Sequence, residues 1–173
     1  MKLNKVLLAA SVVMGMSSFA HAADQGHGKV TFHGSIIDAP CSIDTKSIDQ
    51  KIELGSISNV LLASGGTTTP EPFQILLKDC SLDTAKTVTT TFSGMEGTAA
   101  GTLGISGSAK GANIVLTDGD GTALTLGQPN KGQQIPAGAT GATLEFAAYV
   151  QGDGASVVPG EFNSVTDFML TYI

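Results

Sequence analysis

Two cysteines, Cys41 and Cys80, carry the most reactive side chains of this 173-residue chain. A pair of thiols forms either one disulfide or part of a metal site. A tetrahedral metal site would require both thiols and both of the histidines His27 and His33, so a metal site is the less favoured alternative. In an oxidising compartment an even number of cysteines indicates a disulfide, so the interpretation depends on whether the chain is exported.

Residues 1–22 have the three parts of a secretory signal peptide. Lys2 and Lys5 give a positive start, residues 6–16 are apolar, and Ala20-His21-Ala22 has the small-x-small pattern of a cleavage site. A membrane anchor is the alternative, but the apolar part is short for a bilayer span. We therefore expect cleavage after Ala22, export, and a disulfide between Cys41 and Cys80.

Catalytic, metal and nucleic-acid functions have little support in the sequence. No serine lies in a Gly-x-Ser-x-Gly elbow, and His27 and His33 lie in the N-terminal part of the mature chain, without the rigid support that a general base needs. Asp118 and Asp120 alternate with glycines, which is typical of a turn, and the full calcium-loop pattern is absent. The net charge of −6, without any arginine, excludes a nucleic-acid binder. We predict no enzyme, no cofactor and no metal.

The elements that position these residues are short strands separated by glycine-rich turns. The chain has 22 glycines and 42% hydrophobic residues, which occur in short runs, and it has neither heptads nor repeats. About eight strands suit a two-sheet β-sandwich of immunoglobulin type. One helical turn is predicted at residues 59–63. The predicted strands are residues 30–37, 52–54, 73–78, 87–92, 103–105, 113–116, 123–126, 142–150 and 162–172.

The two ends of the mature chain carry the most unusual patterns. Near the start, an alternating strand places a glycine among apolar residues, although glycine weakens a strand unless something must approach closely. Near the end, a long alternating strand runs almost to the last residue, where most chains fray. Taken alone, each could be an ordinary core strand. The alternate residues are Val30, Phe32, Gly34 and Ile36 at the start, and Gly160, Phe162, Ser164, Thr166, Phe168, Leu170 and Tyr172 at the end.

Together these ends resemble the subunits of chaperone–usher fimbriae, the pilins, and especially the major rod pilins of P-pilus-type fimbriae. The run from Gly28 to Cys41 and Ser42 resembles the N-terminal extension and first cysteine of that family. The segment from Gly160 to Tyr172 resembles its C-terminal β-zipper motif, although Ser164 and Thr166 stand where relatives often carry alanine. The spacing of the cysteines also fits, and the resemblance covers the whole chain.

The resemblance implies an all-β fold, an incomplete immunoglobulin-like β-sandwich that lacks its final strand and receives a donor strand from a neighbouring subunit. It implies a signal peptide at residues 1–22, a donor segment at residues 23–37 and a pilin domain at residues 38–173. Val30, Phe32 and Ile36 would be apolar plugs, with Gly34 where the acceptor leaves no room for a side chain. Thr31, His33 and Ser35 would face outward. The acceptor residues would be Gly160, Phe162, Ser164, Thr166, Phe168, Leu170, Tyr172 and Ile173.

The resemblance also implies the partners and the location. Neighbouring copies and other pilins would form a head-to-tail polymer, after a periplasmic chaperone and an outer-membrane usher had handled each subunit. The Ile173 carboxylate would be held by basic residues of the chaperone. The chain would be exported through the periplasm to an extracellular fimbria, as its major rod subunit, and would support adhesion. The alternatives are a minor adaptor pilin and a secreted β-sandwich carbohydrate-binding module.

Overall fold

The computed structural model describes residues 27–173, so the predicted signal peptide at residues 1–22 lies outside the described residues. Within residues 27–173 there are ten strands and two single-turn helices, with a 3₁₀ turn at Ala63–Gly65. No helix among these residues is long and apolar enough to cross a membrane. The helices are α1 (Thr45–Ile48) and α2 (Asn59–Leu62), and the strands are β1 (Ser42–Ile43), β2 (Glu71–Lys78), β3 (Lys86–Gly94), β4 (Leu103–Gly104), β5 (Ser106–Gly107), β6 (Ala112–Asp118), β7 (Gln133–Ile135), β8 (Gly141–Gly152), β9 (Phe162–Asn163) and β10 (Thr166–Tyr172).

The strands form two main antiparallel sheets and a small third one. The larger sheet has the order β1-β2-β8-β6-β4, the second has the order β10-β3-β7, and β5 pairs with β9. Alternate side chains of β2, β3 and β8 are buried, as expected when one face of each sheet covers a shared core. The predicted all-β sandwich is confirmed.

An aromatic cluster joins the two sheets. Phe92 of β3 is 2% exposed and lies edge-on to Phe146 of β8, with ring centroids 5.1 Å apart. Phe73 of β2 stacks on Phe146 at 5.6 Å and meets Phe92 at 6.1 Å. Phe168 of β10 extends the cluster, with its ring 6.4 Å from that of Phe92. The last strand is therefore anchored to the core, to which Leu170 and Tyr172 of the same strand also pack.

The disulfide is confirmed, since Cys41 and Cys80 are bonded. Cys41 lies four residues after the predicted donor segment, and Cys80 follows β2. The N–H of Ser81 also donates to the carbonyl of Pro40, at 2.8 Å. The bridge thus ties the start of the domain to the end of β2. By contacts between Cα atoms, the chain divides into a unit that ends at Ile36 and a unit of residues 37–173.

Several predicted strands differ in the structure. Residues 52–54 lie in no strand, although Leu54 packs against the core. Residues 123–126 make one bridge, between Ala123 and Thr117, where a strand was predicted. Residues 30–37, which were predicted to form a strand, lie in no strand and are all exposed, since a strand requires a neighbour for its hydrogen bonds.

The predicted strand at residues 162–172 is interrupted. Its first part, β9, pairs with β5, whereas β10 pairs with β3 from Thr166, opposite Gly94, to Tyr172, opposite Val88. The interruption falls where the ladder with β3 ends, because Gly94 is the last residue of β3. The predicted helical turn at residues 59–63 is confirmed by α2, while α1 had no counterpart among the predicted elements.

Candidate functional site

Strand β10 lies at the edge of its sheet, and β3 is its one strand neighbour among the described residues. Ile173 and Thr87 exchange both backbone hydrogen bonds, each of 2.9 Å. Since the polar groups of successive residues point to opposite sides of a strand, every second residue before Ile173 also faces β3. The remaining N–H and C=O groups point away from the sheet and form what we call the open edge. They belong to Thr166, Phe168, Leu170 and Tyr172.

The side chains of the same residues form one half-buried face. Along residues 162–172, burial alternates strictly between half-buried and exposed, and the alternation continues through the break between β9 and β10. On the opposite face Met169 is exposed. We call the half-buried side the acceptor face. It consists of Phe162, Ser164, Thr166, Phe168, Leu170 and Tyr172.

The two small polar residues of the acceptor face direct their hydroxyls at the domain's own backbone. Ser164 Oγ donates to the carbonyl of Gly104 at 2.8 Å, and Thr166 Oγ1 donates to the carbonyl of Ser93 at 3.0 Å. These hydroxyls are thus satisfied within the domain. Ser164 and Thr166 therefore keep this part of the acceptor face small and add no unpaired hydroxyl to it.

Gly160, which was predicted to belong to the acceptor side, lies in close contact with its own domain. A Cβ atom at this position would lie 2.5 Å from Ser108 Oγ and 2.7 Å from the backbone nitrogen of Ala109. Both distances are shorter than real contacts allow. Gly160 is therefore required for the close approach of the chain to the segment that follows β5, and its own surface is exposed.

Tyr172 carries an unpaired polar atom at the end of the acceptor face. Its hydroxyl is buried, and it is the one such side-chain atom among the described residues that has no hydrogen-bond partner. Burial raises the pKa of this phenol above its ordinary value. A buried hydroxyl without a partner costs about 1–3 kcal/mol. Tyr172 therefore lowers the free energy of unfolding of the isolated subunit by an amount of this order.

Residues 27–37, the described part of the predicted donor segment, expose their apolar side chains. Val30 is 74% exposed, Phe32 is 90% exposed and Ile36 is fully exposed. Thr31, His33 and Ser35, which were predicted to face outward, are exposed too. A Cβ atom added at Gly34 would meet nothing within 4 Å. Nothing in the subunit's own fold therefore requires glycine at this position.

The turn at Asp118 uses its carboxylate internally. Asp118 Oδ1 accepts hydrogen bonds from the backbone of Asp120, at 3.1 Å, and of Thr122, at 2.9 Å. Lys131 Nζ lies 3.8 Å from Asp118 Oδ2 and also contacts the carboxylate of Asp120. These contacts raise the pKa of Lys131, chiefly through the bond to Asp120. The carboxylate of Asp118 therefore stabilises the turn through hydrogen bonds to its backbone, and both carboxylates contact Lys131.

The sequence did not identify two features of the site. One is the open edge. Which N–H and C=O groups of a strand point outward can be told only when its partner strand and the register between them are known. The other is Phe92, which supports Phe168 from beneath. Phe92 was placed on a predicted strand but not related to the last strand. The matching alternation of Val88, Thr90 and Phe92 with β10 is the signal that could have paired them.

Comparisons with known proteins span both ends of the site. A family model described as fimbrial protein matches residues 30–172. Fimbria A protein of Serratia marcescens is 54% identical over 175 residues, covering 99% of this chain and 99% of that protein. The crystal structure of the P pilus rod subunit PapA is 28% identical, with a TM-score of 0.66, over 78% of this chain and 100% of that one. A chaperone–usher pilus structure, studied for rod uncoiling, is 31% identical with a TM-score of 0.72, over 86% and 97%.

Proposed function

The chain belongs to the fimbrial protein family and is a structural subunit of a bacterial surface fimbria, and we propose that its copies polymerise by donor-strand exchange. In this proposal residues 23–37 of one copy add as a strand to the open edge of the next copy. The subunit acts without catalysis. Its similarity to a P pilus rod subunit supports the role of major rod subunit.

The observation that carries the proposal is the coincidence of the open edge and the acceptor face on one strand. An exposed strand edge is a template for pairing with another chain. The four residues with outward N–H and C=O groups are also four of the six whose side chains form the half-buried face. A strand added there would gain backbone hydrogen bonds and cover apolar surface at once, as in recognition by β-augmentation.

The donor segment has the complementary pattern. Val30, Phe32 and Ile36 recur at every second position, apart from Gly34, so a single extended strand presents them on one face. They are exposed in the subunit and would be buried in the polymer. Each buried plug contributes about 2 kcal/mol. Strand addition would also place polar backbone near the unpaired hydroxyl of Tyr172.

One donor segment and one acceptor site per copy give a head-to-tail contact. Such a heterologous contact propagates into a filament when its rotation does not close a ring. Before polymerisation the same edge would be covered by a strand of a periplasmic chaperone, and an outer-membrane usher would receive the complex. The similarity to a chaperone–usher pilus supports these two partners. The role of the Ile173 carboxylate in holding the chaperone rests on family resemblance alone.

A titration tests the proposal directly. A subunit that lacks residues 23–33 should bind a synthetic peptide of residues 27–37 with a stoichiometry of one. At a peptide concentration 100 times Kd, the free energy of unfolding should rise by about 2.7 kcal/mol. Thermal unfolding monitored by circular dichroism measures the shift.

The matched control is the same peptide with Phe32→Asp, which retains the backbone and places a charge where a plug is expected. It should stabilise the subunit far less, because burying an unpaired carboxylate is costly. Equal stabilisation by both peptides would show that the plugs do not enter the acceptor face. A secreted carbohydrate-binding module would respond to neither peptide.

A further inference from the structure

The domain has a second sheet edge at which a strand could add. Strand β2 lies next to β1, but β1 is two residues long and covers only Leu77 and Lys78. The outer side of β2 from Glu71 to Leu76 therefore has no strand neighbour among the described residues. A polymer built by strand addition needs the donor to choose β10 over this edge. Both edges belong to antiparallel sheets and offer the same backbone chemistry.

We propose that Ser47, Gln50 and Pro72 seal the outer edge of β2 and thereby direct the donor strand to β10. The inference rests on the proposed polymerisation by strand addition and names the residues that give it specificity. We call these three residues the edge seal.

Hydrogen bonds from the segment before β2 occupy outward backbone N–H and C=O groups of successive outward residues of β2. The N–H of Asp44 donates to the carbonyl of Leu76 at 2.8 Å, which shows that Leu76 faces away from β8. The N–H of Leu76 donates to Ser47 Oγ at 3.0 Å. Two residues earlier, on the same side, the carbonyl of Gln74 accepts from Gln50 Nε2 at 2.9 Å. Side chains thus occupy the positions that the backbone of an added strand would need.

The next outward position on β2 is Pro72. Proline has no N–H and is confined within sheets to edges, where it prevents further pairing. Pro72 opposes Ala147 of β8 and has the same direction as Gln74 and Leu76. An incoming strand would find no donor at this position and occupied groups at the two that follow.

Ser47 of the edge seal is held in place by the contacts of its helix α1. Ser47 is 3% exposed and lies in α1, whose first turn is capped by a hydrogen bond from the N–H of Lys46 to Asp44 Oδ1 at 2.9 Å. Asp44 Oδ2 also lies 3.3 Å from Lys78 Nζ of β2. The Lys46 bond and, after it, the Lys78 contact lower the pKa of the Asp44 carboxyl. The single turn of α1 is therefore fixed to the strand that it covers.

The open edge of β10 lacks such protection. None of the hydrogen bonds in the described part of the chain joins a side chain to an outward backbone group of Phe168, Leu170 or Tyr172. These two sheet edges thus differ in a way that matches their roles. Outward backbone groups of β2 are hydrogen-bonded within the domain, whereas those of β10 are left for a second chain.

The test uses filaments of the complete mature chain, in which the β10 edge of each interior copy is filled. Filaments are incubated with a fluorescent peptide of residues 27–37, with a scrambled peptide as background, and the label per subunit is measured after sedimentation. Native filaments should be labelled only at one end. Filaments of the variant Gln50→Ala/Pro72→Val should be labelled along their length. The label per subunit should rise about tenfold or more, since a free edge per filament becomes a free edge per subunit.

Thr45→Ala/Asp49→Ala is the matched control, because both residues lie at the same turn, are exposed and make no hydrogen bond to β2 in the structure. It should be labelled like the native filament. Labelling of the seal variant at filament ends alone would overturn the inference while leaving donor-strand exchange intact. If the double variant forms no filaments, Gln50→Ala and Pro72→Val are measured singly, and labelling at the ends in both would equally overturn it. A native chain that forms no filaments would instead contradict the proposed function.

Discussion

Replacing Gly34 by asparagine is expected to abolish filament formation while the subunit folds normally. In the free subunit a side chain at this position meets nothing within 4 Å, and its backbone is not in the left-handed region. In the polymer the asparagine would face the acceptor between Phe32 and Ile36. Overpacking costs about 1–3 kcal/mol and an unpaired amide adds to it, so the contact should weaken by at least about a hundredfold.

Filament yield by electron microscopy, together with copurification of the chaperone, measures this effect. The matched control is Ser35→Asn, which places the same side chain one residue along, on the face expected to point outward. Ser35→Asn should form normal filaments, and both variants should copurify with the chaperone. Normal polymer from Gly34→Asn would show that Gly34 does not enter a confined site.

A subunit without residues 23–33 is expected to accept a donor strand but to donate none. The deletion removes Val30 and Phe32, two of the three plugs, and with them about 4 kcal/mol of apolar burial, as well as the backbone of half the strand. It leaves the open edge and the acceptor face of β10 unchanged. When it is expressed alone, this subunit should form no chains. When it is mixed with the native chain, each filament should contain at most one truncated copy, at one end.

An epitope tag on the truncated copy, counted per filament by immunogold labelling, measures this. Deleting residues 23–29 is the control, because it removes the polar leader and keeps residues 30–36, so that chains should still form. Chains made of the truncated copy alone would show that the donor lies elsewhere. Tagged copies along the interior of filaments would show the same.

The sequence predicted the fold class and the half-buried face of the last strand, because both depend on local alternation. Val30, Phe32 and Ile36 repeat at every second residue, and so do Phe168, Leu170 and Tyr172. The alternation of the second set corresponds to half-buried side chains in the structure. The disulfide followed from two cysteines in a chain with an export signal, which is a matter of composition and compartment.

The features that the sequence did not predict depend on partners distant in the chain. The break between β9 and β10 is set by the end of β3 at Gly94, about seventy residues earlier. Gly160 lay in register with the acceptor residues, but its requirement arises from Ser108, which is brought close only by folding. The edge seal depends on Gln50 reaching Gln74, and nothing in the local sequence of either residue indicates that contact.

Residue-resolved hydrogen exchange along β10 tests the central claim most directly. Amide exchange is measured by NMR on the subunit that lacks residues 23–33, with and without the peptide of residues 27–37. The account predicts that the amides of Thr166, Phe168, Leu170 and Tyr172 gain protection when the peptide binds. The amides of Asp167, Met169 and Thr171 already bond to β3 and should change much less. Protection without this alternation, or gained at Gln74 of β2 instead, would contradict the claim that the donor strand pairs with the open edge of β10.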